Sequence, residues 1–264
     1  MHPDLARILF LTAAALLGGM VNSVAGGGGF LVFPTLLQMG LPPIEANATN
    51  TVALWPGQMT SIFAYYKDLR KNLRLVIPVV LVAAIGGFYG SWTILHHSQK
   101  SFLRLVPYLF LLGSTSFAMS GPIARRIRAR EAAQANHDGK PHHRVRLPLL
   151  LILLLAVTFY IGYFGAGAGL ITMTALAVSG VERIAEINAL KTVITTTANL
   201  VAVILFIVQG AVIWQDCWFM MIACAVGGYV GARYSRRIND RILRPVIIVI
   251  GFSVALWLFF HQGR

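Results

Sequence analysis

Apolar residues fall in runs along the chain, separated by short polar or glycine-rich breaks, and two of these runs share an unusual form. Residues 8–24 are followed by "GGGG" at 26–29 and then by a second apolar run of about ten residues, 30–39. Residues 148–164 are followed by "GAGAG" at 165–169 and then by the short run 170–179. Ten helical residues rise about 15 Å, half of a ~30 Å hydrocarbon core. Each pair therefore predicts a helix–break–helix hairpin. Three longer spans follow each hairpin: 44–66, 75–95 and 101–120 in the first half, then 184–208, 212–232 and 245–261 in the second. Runs long enough to cross a bilayer predict an all-α polytopic membrane protein. The ~10-residue alternating segments of a membrane β-barrel are absent.

The two halves echo one another. "GGGGFLVFPTLLQMG" (26–40) aligns with "AGAGLITMTALAVSG" (166–180), offset by 140 residues. After a one-residue shift, "EANATNT" (45–51) aligns with "EINALKT" (186–192), and "GGFYGS" (86–91) with "GGYVGA" (227–232). Three blocks in one order indicate duplication. The chain divides into a first transmembrane repeat, 1–121, a basic cytoplasmic linker, 122–146, and a second transmembrane repeat, 147–264. The opening "MHPDLARILFLTAAALLGGMVNSVAG" mimics a signal peptide. The same kind of segment recurs at 147–169, so it is read as an uncleaved membrane segment.

Composition agrees with this. The chain is 57% hydrophobic and 12% charged, against about 25% charged in soluble domains. Its net charge of +13 sits in short loops, which fits topology setting better than nucleic-acid binding. Lys67, Arg70, Lys71 and Arg74 form one basic loop. The linker carries Arg125, Arg126, Arg128, Arg130, Lys140, Arg144 and Arg146. A third loop carries Arg233, Arg236, Arg237, Arg241 and Arg244. By contrast, 208–216 has no Lys or Arg, and 96–100 has one. The positive-inside rule makes the three basic loops cytoplasmic. Three spans plus a hairpin that returns to its starting side give an odd number of crossings. The second repeat is then inverted relative to the first, and both termini lie outside the cytoplasm. The expected location is the plasma (inner) membrane, with "ARRIRAR" (124–130) a cytoplasmic helix end near anionic lipid. Cys217 and Cys224, seven apart, suit packing on one helix face. The linker histidines His137, His142 and His143 read as solvated rather than metal-binding.

The candidate chemistry lies at the breaks. A broken helix in lipid exposes N–H groups, each costing several kcal/mol unless satisfied. Half-helices starting at Phe30 and Leu170 present amides and positive dipole ends, which suit an anion. The candidate donors are Gly27, Gly28, Gly29 and Phe30, with Gly167, Gly169 and their neighbours through Leu170 on the second copy. The competing reading is tight helix packing. Gly165 and Gly169 form a GxxxG pair, as do Gly86 and Gly90, and Gly227 and Gly231, and the last two pairs are read as packing. Neither run has the lysine of a P-loop or the third glycine of a dinucleotide fingerprint.

The helix after each hairpin carries a polar stripe. Asn47, Asn50, Thr51 and Gln58 share one face, as do Asn188, Lys191, Thr192, Thr195 and Asn199. Amides, hydroxyls and one ammonium, with no carboxylate, can donate to oxyanions. Hydrogen bonding between helices is the competing reading. A mid-helix lysine costs about 2.5–3.5 kcal/mol on insertion scales, so Lys191 either faces the cavity or snorkels to the headgroups. Glu45 and Glu186, in the first turns of their helices, suit the helix dipole, with proton coupling as the alternative. Pro56 is placed to kink the first copy's helix, where the second has Thr197. No nucleophile–base pair, HExxH or CxxC is present, so neither enzyme activity, cofactor nor metal is expected.

On "NSVAGGGGFLVFPTLLQMGLPPIEANATNT" and its weaker echo "YFGAGAGLITMTALAVSG…EINALKT", the chain resembles the sulfite exporter TauE/SafE family of sulfonate-type permeases. The resemblance covers nearly the whole chain. It implies a plasma-membrane transporter, often an exporter, of small sulfur-containing anions such as sulfite, sulfoacetate or other sulfonates. With no nucleotide motif visible, a proton or ion gradient is the expected driving force. Alternating Gly-Ala replaces the glycine run in the second copy, so the two half-sites are expected to contribute unequally. Two other classes remain open: a non-transporting membrane assembly or binding subunit, whose stripes would pair and leave no cavity, and a transporter of cations or neutral solutes.

Overall fold

The computed structural model describes residues 3–71, 73–135, 145–181, 183–234 and 240–261. The described residues form ten helices: α1 (Pro3–Ala25), α2 (Gly29–Gln38), α3 (Pro43–Lys71), α4 (Leu73–Leu95), α5 (Gln99–Ala135), α6 (Leu147–Tyr163), α7 (Ala168–Val178), α8 (Ile184–Val208), α9 (Trp214–Tyr234) and α10 (Asp240–His261). The protein is an all-α polytopic membrane protein. Among the described residues, three helical segments are long and apolar enough to cross a bilayer by length and composition: Leu5–Ser23, Leu75–Leu95 and Ala185–Val208. Its outer surface is apolar, with Ile77, Leu81, Ile152, Ile222 and Phe260 all exposed. Such a surface suits lipid rather than water.

Both predicted hairpins form. Gly26 (φ 76°) breaks the first, and Gly165 (φ 77°) and Gly167 (φ 74°) break the second. Glycine takes such angles without the Cβ penalty of other residues. The two short helices stop alike. Gly40 N–H donates to Leu37 O and Leu41 N–H to Leu36 O, while Gly180 N–H donates to Ala177 O and Val181 N–H to Leu176 O. That is the Schellman pattern, with Gly40 (φ 85°) and Gly180 (φ 94°) in the left-handed conformation.

Two boundaries differ from expectation. The segment 122–135, read as the start of a linker, continues α5 to Ala135. The basic stretch 67–71, read as a loop, is the last turn of α3. Basic residues mark a membrane–water boundary, and a helix can run past it into water. His137, Lys140, His142, His143, Arg144, Arg236 and Arg237 lie outside the described residues.

The halves interleave. α1 packs on α9 and α6 on α4, so each half's first helix is seated on the other half. The related helices α3 and α8 pack together, as do α5 and α10. Glycine seams make the closest approaches. A Cβ at Gly227 would run into Leu16 O, and one at Gly231 would come 2.7 Å from Met20 O. On the other copy, a Cβ at Gly86 would come 3.0 Å from Leu155 O, and one at Gly90 would run into Phe159 O. Both GxxxG pairs are therefore packing surfaces. Cys217 and Cys224 are buried in α9, and Cys224 Sγ lies 3.2 Å from Ala15 O on α1. Beside α2, Phe30, Phe33, Phe110 and Phe164 form an aromatic cluster, with Phe30–Phe110 and Phe33–Phe164 ring centroids each 5.3 Å apart. Each such pair contributes about 0.5–1.5 kcal/mol beyond its burial.

Candidate functional site at the glycine breaks

The two breaks meet inside the bundle. A Cβ built on Gly29, at the start of α2, would lie 3.7 Å from Ala166 Cβ, within the second break. Beside this junction is a cavity of about 170 Å³. A single water needs about 10–15 Å³ on this scale, so a small solute fits. Its wall comes from five places: Asn22 and Ser23 ending α1; Gly26 and Gly29; Asn50, Thr51, Leu54 and Gln58 on α3; Phe164, Gly165, Ala166, Ala168, Gly169 and Leu170 around the second break; and Lys191, Thr192, Thr195, Thr196 and Asn199 on α8.

Of the residues singled out by sequence, Gly29, Asn50, Thr51, Gln58, Gly169, Lys191, Thr192, Thr195 and Asn199 reach this wall. Gly27, Gly28, Phe30, Asn47, Gly167 and Asn188 do not. Gly28 is packed against α1, where its Cβ would come 2.7 Å from Asn22 Cβ. Gly167 is packed against α5, with a Cβ position 3.0 Å from Gly113 Cα. Phe30 turns its ring to Phe110. Its N–H donates to Gly27 O at 3.1 Å, and Leu170 N–H donates to Gly167 O at 3.2 Å. Those two amides, expected to face a ligand, are used in the turns that open α2 and α7. Asn47, 1% exposed, donates through Nδ2 to Tyr163 O at 3.3 Å. It satisfies the carbonyl of α6's last residue, across the two halves. Asn188 is half-buried and accepts, through its carbonyl, from Thr192 Oγ1 at 2.8 Å.

The hydrogen bonds on the wall sort its polar groups. Thr51 and Thr195 each donate back one turn, to Asn47 O at 2.8 Å and Lys191 O at 2.9 Å. Asn199 Nδ2 donates to Gln58 Oε1 at 2.9 Å, tying the two stripes together at matching positions. Other groups on the wall are unspent. Asn50 Oδ1 and Thr196 Oγ1 are buried without a partner. Lys191, half-buried on the wall, forms no ion pair among the described residues. No carboxylate lines the cavity. Glu45 instead accepts from Gln99 Nε2 at 2.7 Å, while Gln99 Oε1 accepts from Ile44 N–H at 2.9 Å. Glu45 thus anchors the start of α3 to α5.

Sequence reasoning passed over Asn22, Ser23 and Thr196. Asn22 and Ser23 are polar residues closing an apolar helix, a usable signal, but the second copy has Gly162 and Tyr163 there and the repeat hid them. Thr196 is eight residues after Asn188, an interval that also returns to the same helical face. Tyr160 was also missed. Its hydroxyl donates to Ala166 O at 2.6 Å and so holds the second break in shape.

Comparison with known proteins fits this architecture. A family model described as sulfite exporter TauE/SafE matches residues 11–258. A "Probable membrane transporter protein" of Haemophilus influenzae is 25% identical, covering 98% of this chain and 96% of its own length. The "Probable membrane transporter protein YfcA" of Escherichia coli K12 is also 25% identical, over 98% of this chain and 91% of its own. A "Sulfite exporter TauE/SafE family protein 3" of Arabidopsis thaliana is 29% identical over 32% of this chain and 18% of its own. No solved structure matches the chain significantly. With a match running through both hairpins and all the spans between them, the chain belongs to the sulfite exporter TauE/SafE family, a family of membrane transporters.

Proposed function

We propose that the protein is a secondary transporter, working as an exporter, of small sulfur-containing anions such as sulfite, sulfoacetate or other sulfonates. One observation carries the reading: the two glycine breaks share a cavity whose polar wall is amides, hydroxyls and one lysine, without a carboxylate. Donors without acceptor charge favour an oxyanion over a cation. A space left between the stripes, despite the Gln58–Asn199 bond, favours a transporter over an assembly subunit. The family description supplies the sulfur oxyanion class.

In this reading the second repeat is inverted in the plasma membrane, with the basic segments cytoplasmic and both termini outside. The matched packing of related helices supports that arrangement. Access to the site alternates as the hairpins or bundles rock around it, and a proton or ion gradient drives the cycle. The test is sulfite flux in proteoliposomes. Lys191→Ala removes the cavity's one cation and lowers flux by about tenfold or more, a loss of at least ~1.4 kcal/mol. Unchanged flux in that variant overturns the site assignment.

A further inference from the structure

Asn50 and Lys191 occupy the same position in the two repeats, sixth in "EANATNT" and sixth in "EINALKT". Each abuts the glycine at the start of its own half's short helix. Asn50 Nδ2 lies 3.4 Å from a Cβ placed on Gly29, and Lys191 Cδ lies 3.8 Å from one placed on Gly169. The next residue is threonine in both copies, and both threonines donate back one turn, to Asn47 O and Asn188 O at 2.8 Å. The site is thus built twice, yet only one copy carries a charge. Asn50 is 5% exposed, its Oδ1 has no partner, and it lines the cavity.

Resting on the anion-transport reading, we propose that positions 50 and 191 set the charge of the sulfur headgroup: the site takes singly charged headgroups, the –SO₃⁻ of a sulfonate and hydrogensulfite, in preference to doubly charged ones such as sulfate. A monoanion beside Lys191 leaves the pair neutral. A doubly charged headgroup leaves one negative charge uncompensated away from water, where an unpaired ion bears a desolvation penalty. Other charges nearby do not alter this balance. Glu45 is held by Gln99, Asp216 by Arg7, and neither those two carboxylates nor Glu186 lines the cavity. Asn50, through its Nδ2 amide, and Thr196, through its hydroxyl, supply donors on the same wall as Lys191 without adding charge.

The experiment is thermal unfolding of the detergent-purified full chain, titrated with methanesulfonate or sulfate at constant ionic strength. Only the saturable part of the shift is read, because sulfate also stabilises folded proteins nonspecifically. The wild type binds methanesulfonate at least about tenfold more tightly than sulfate. Lys191→Arg keeps that preference, Lys191→Met abolishes both saturable shifts, and Asn50→Lys moves the preference toward sulfate. Equal binding of the two anions, or an unchanged ratio in Asn50→Lys, overturns the charge rule while leaving anion transport standing. Absence of any saturable anion shift, or a shift with sodium instead, overturns the transport reading and the rule with it. Should Asn50→Lys fail to fold by gel filtration, Lys191→Met decides: a retained preference for methanesulfonate overturns the proposal.

Discussion

Asn47 donates through Nδ2 to the carbonyl of Tyr163, where α6 stops, whereas Asn50, three residues further along α3, lies on the cavity wall and makes no such bond, the Oδ1 of each being unpartnered. Two asparagines that look alike in sequence thus separate into a structural bond and a free group. Asn47→Leu strands a buried carbonyl and costs about 1–3 kcal/mol, seen as a lower midpoint in thermal unfolding. Asn50→Ala removes a group that bonds nothing, so it leaves that midpoint nearly unchanged and lowers anion flux instead. A common loss of stability in both variants would contradict this division. The stripe itself was legible, because residues three, four, seven and eleven apart return to one helical face. What spacing does not carry is how each hydrogen-bonding capacity is used. Only the partner's position tells that Asn199 is spent on Gln58 while Thr196 is not. The same applies to the glycines: Gly28 and Gly29 are neighbours in sequence, yet one is pressed against α1 and the other opens on the cavity.

Among the helices, both broken hairpins and every long span were legible from apolar run lengths. The far ends of α3 and α5 were not, since α3 ends in a basic turn and α5 runs on through the basic stretch 124–130 to "EAAQA", and neither carries an apolar pattern to follow. Glycines differ in kind at this scale. Gly40 needs its positive φ but has nothing within 4 Å of a Cβ. Gly40→Ala therefore costs only the conformational penalty, about 1–2 kcal/mol. Gly227 sits inside α9 with a Cβ position that runs into the Leu16 carbonyl. Gly227→Ala pushes α1 and α9 apart and costs more than Gly40→Ala. Thermal unfolding of both variants checks the order, and the reverse ranking would mean that the α1–α9 seam tolerates separation.

At the level of the whole molecule, the proposed inversion makes a topological prediction. Reporter tags at either terminus should report the non-cytoplasmic side, and a tag near Lys140 in the linker should report the cytoplasm. An amino terminus in the cytosol would leave the positive-inside reading without its foundation. Between the halves, Arg7 on α1 and the buried Asp216 opening α9 form an ion pair at 2.5 Å. It fixes the same seam that the glycines shape.

That seam orders the protein's birth. α1 leaves the ribosome well before its partner α9, which begins at Trp214. At 5–20 residues per second, α1 waits roughly 10–40 s for the helix that covers it. For that interval its glycine-notched face rests against lipid or an insertion chaperone, and a chain stopped before α9 is left with α1 unmated, a target for quality-control proteolysis.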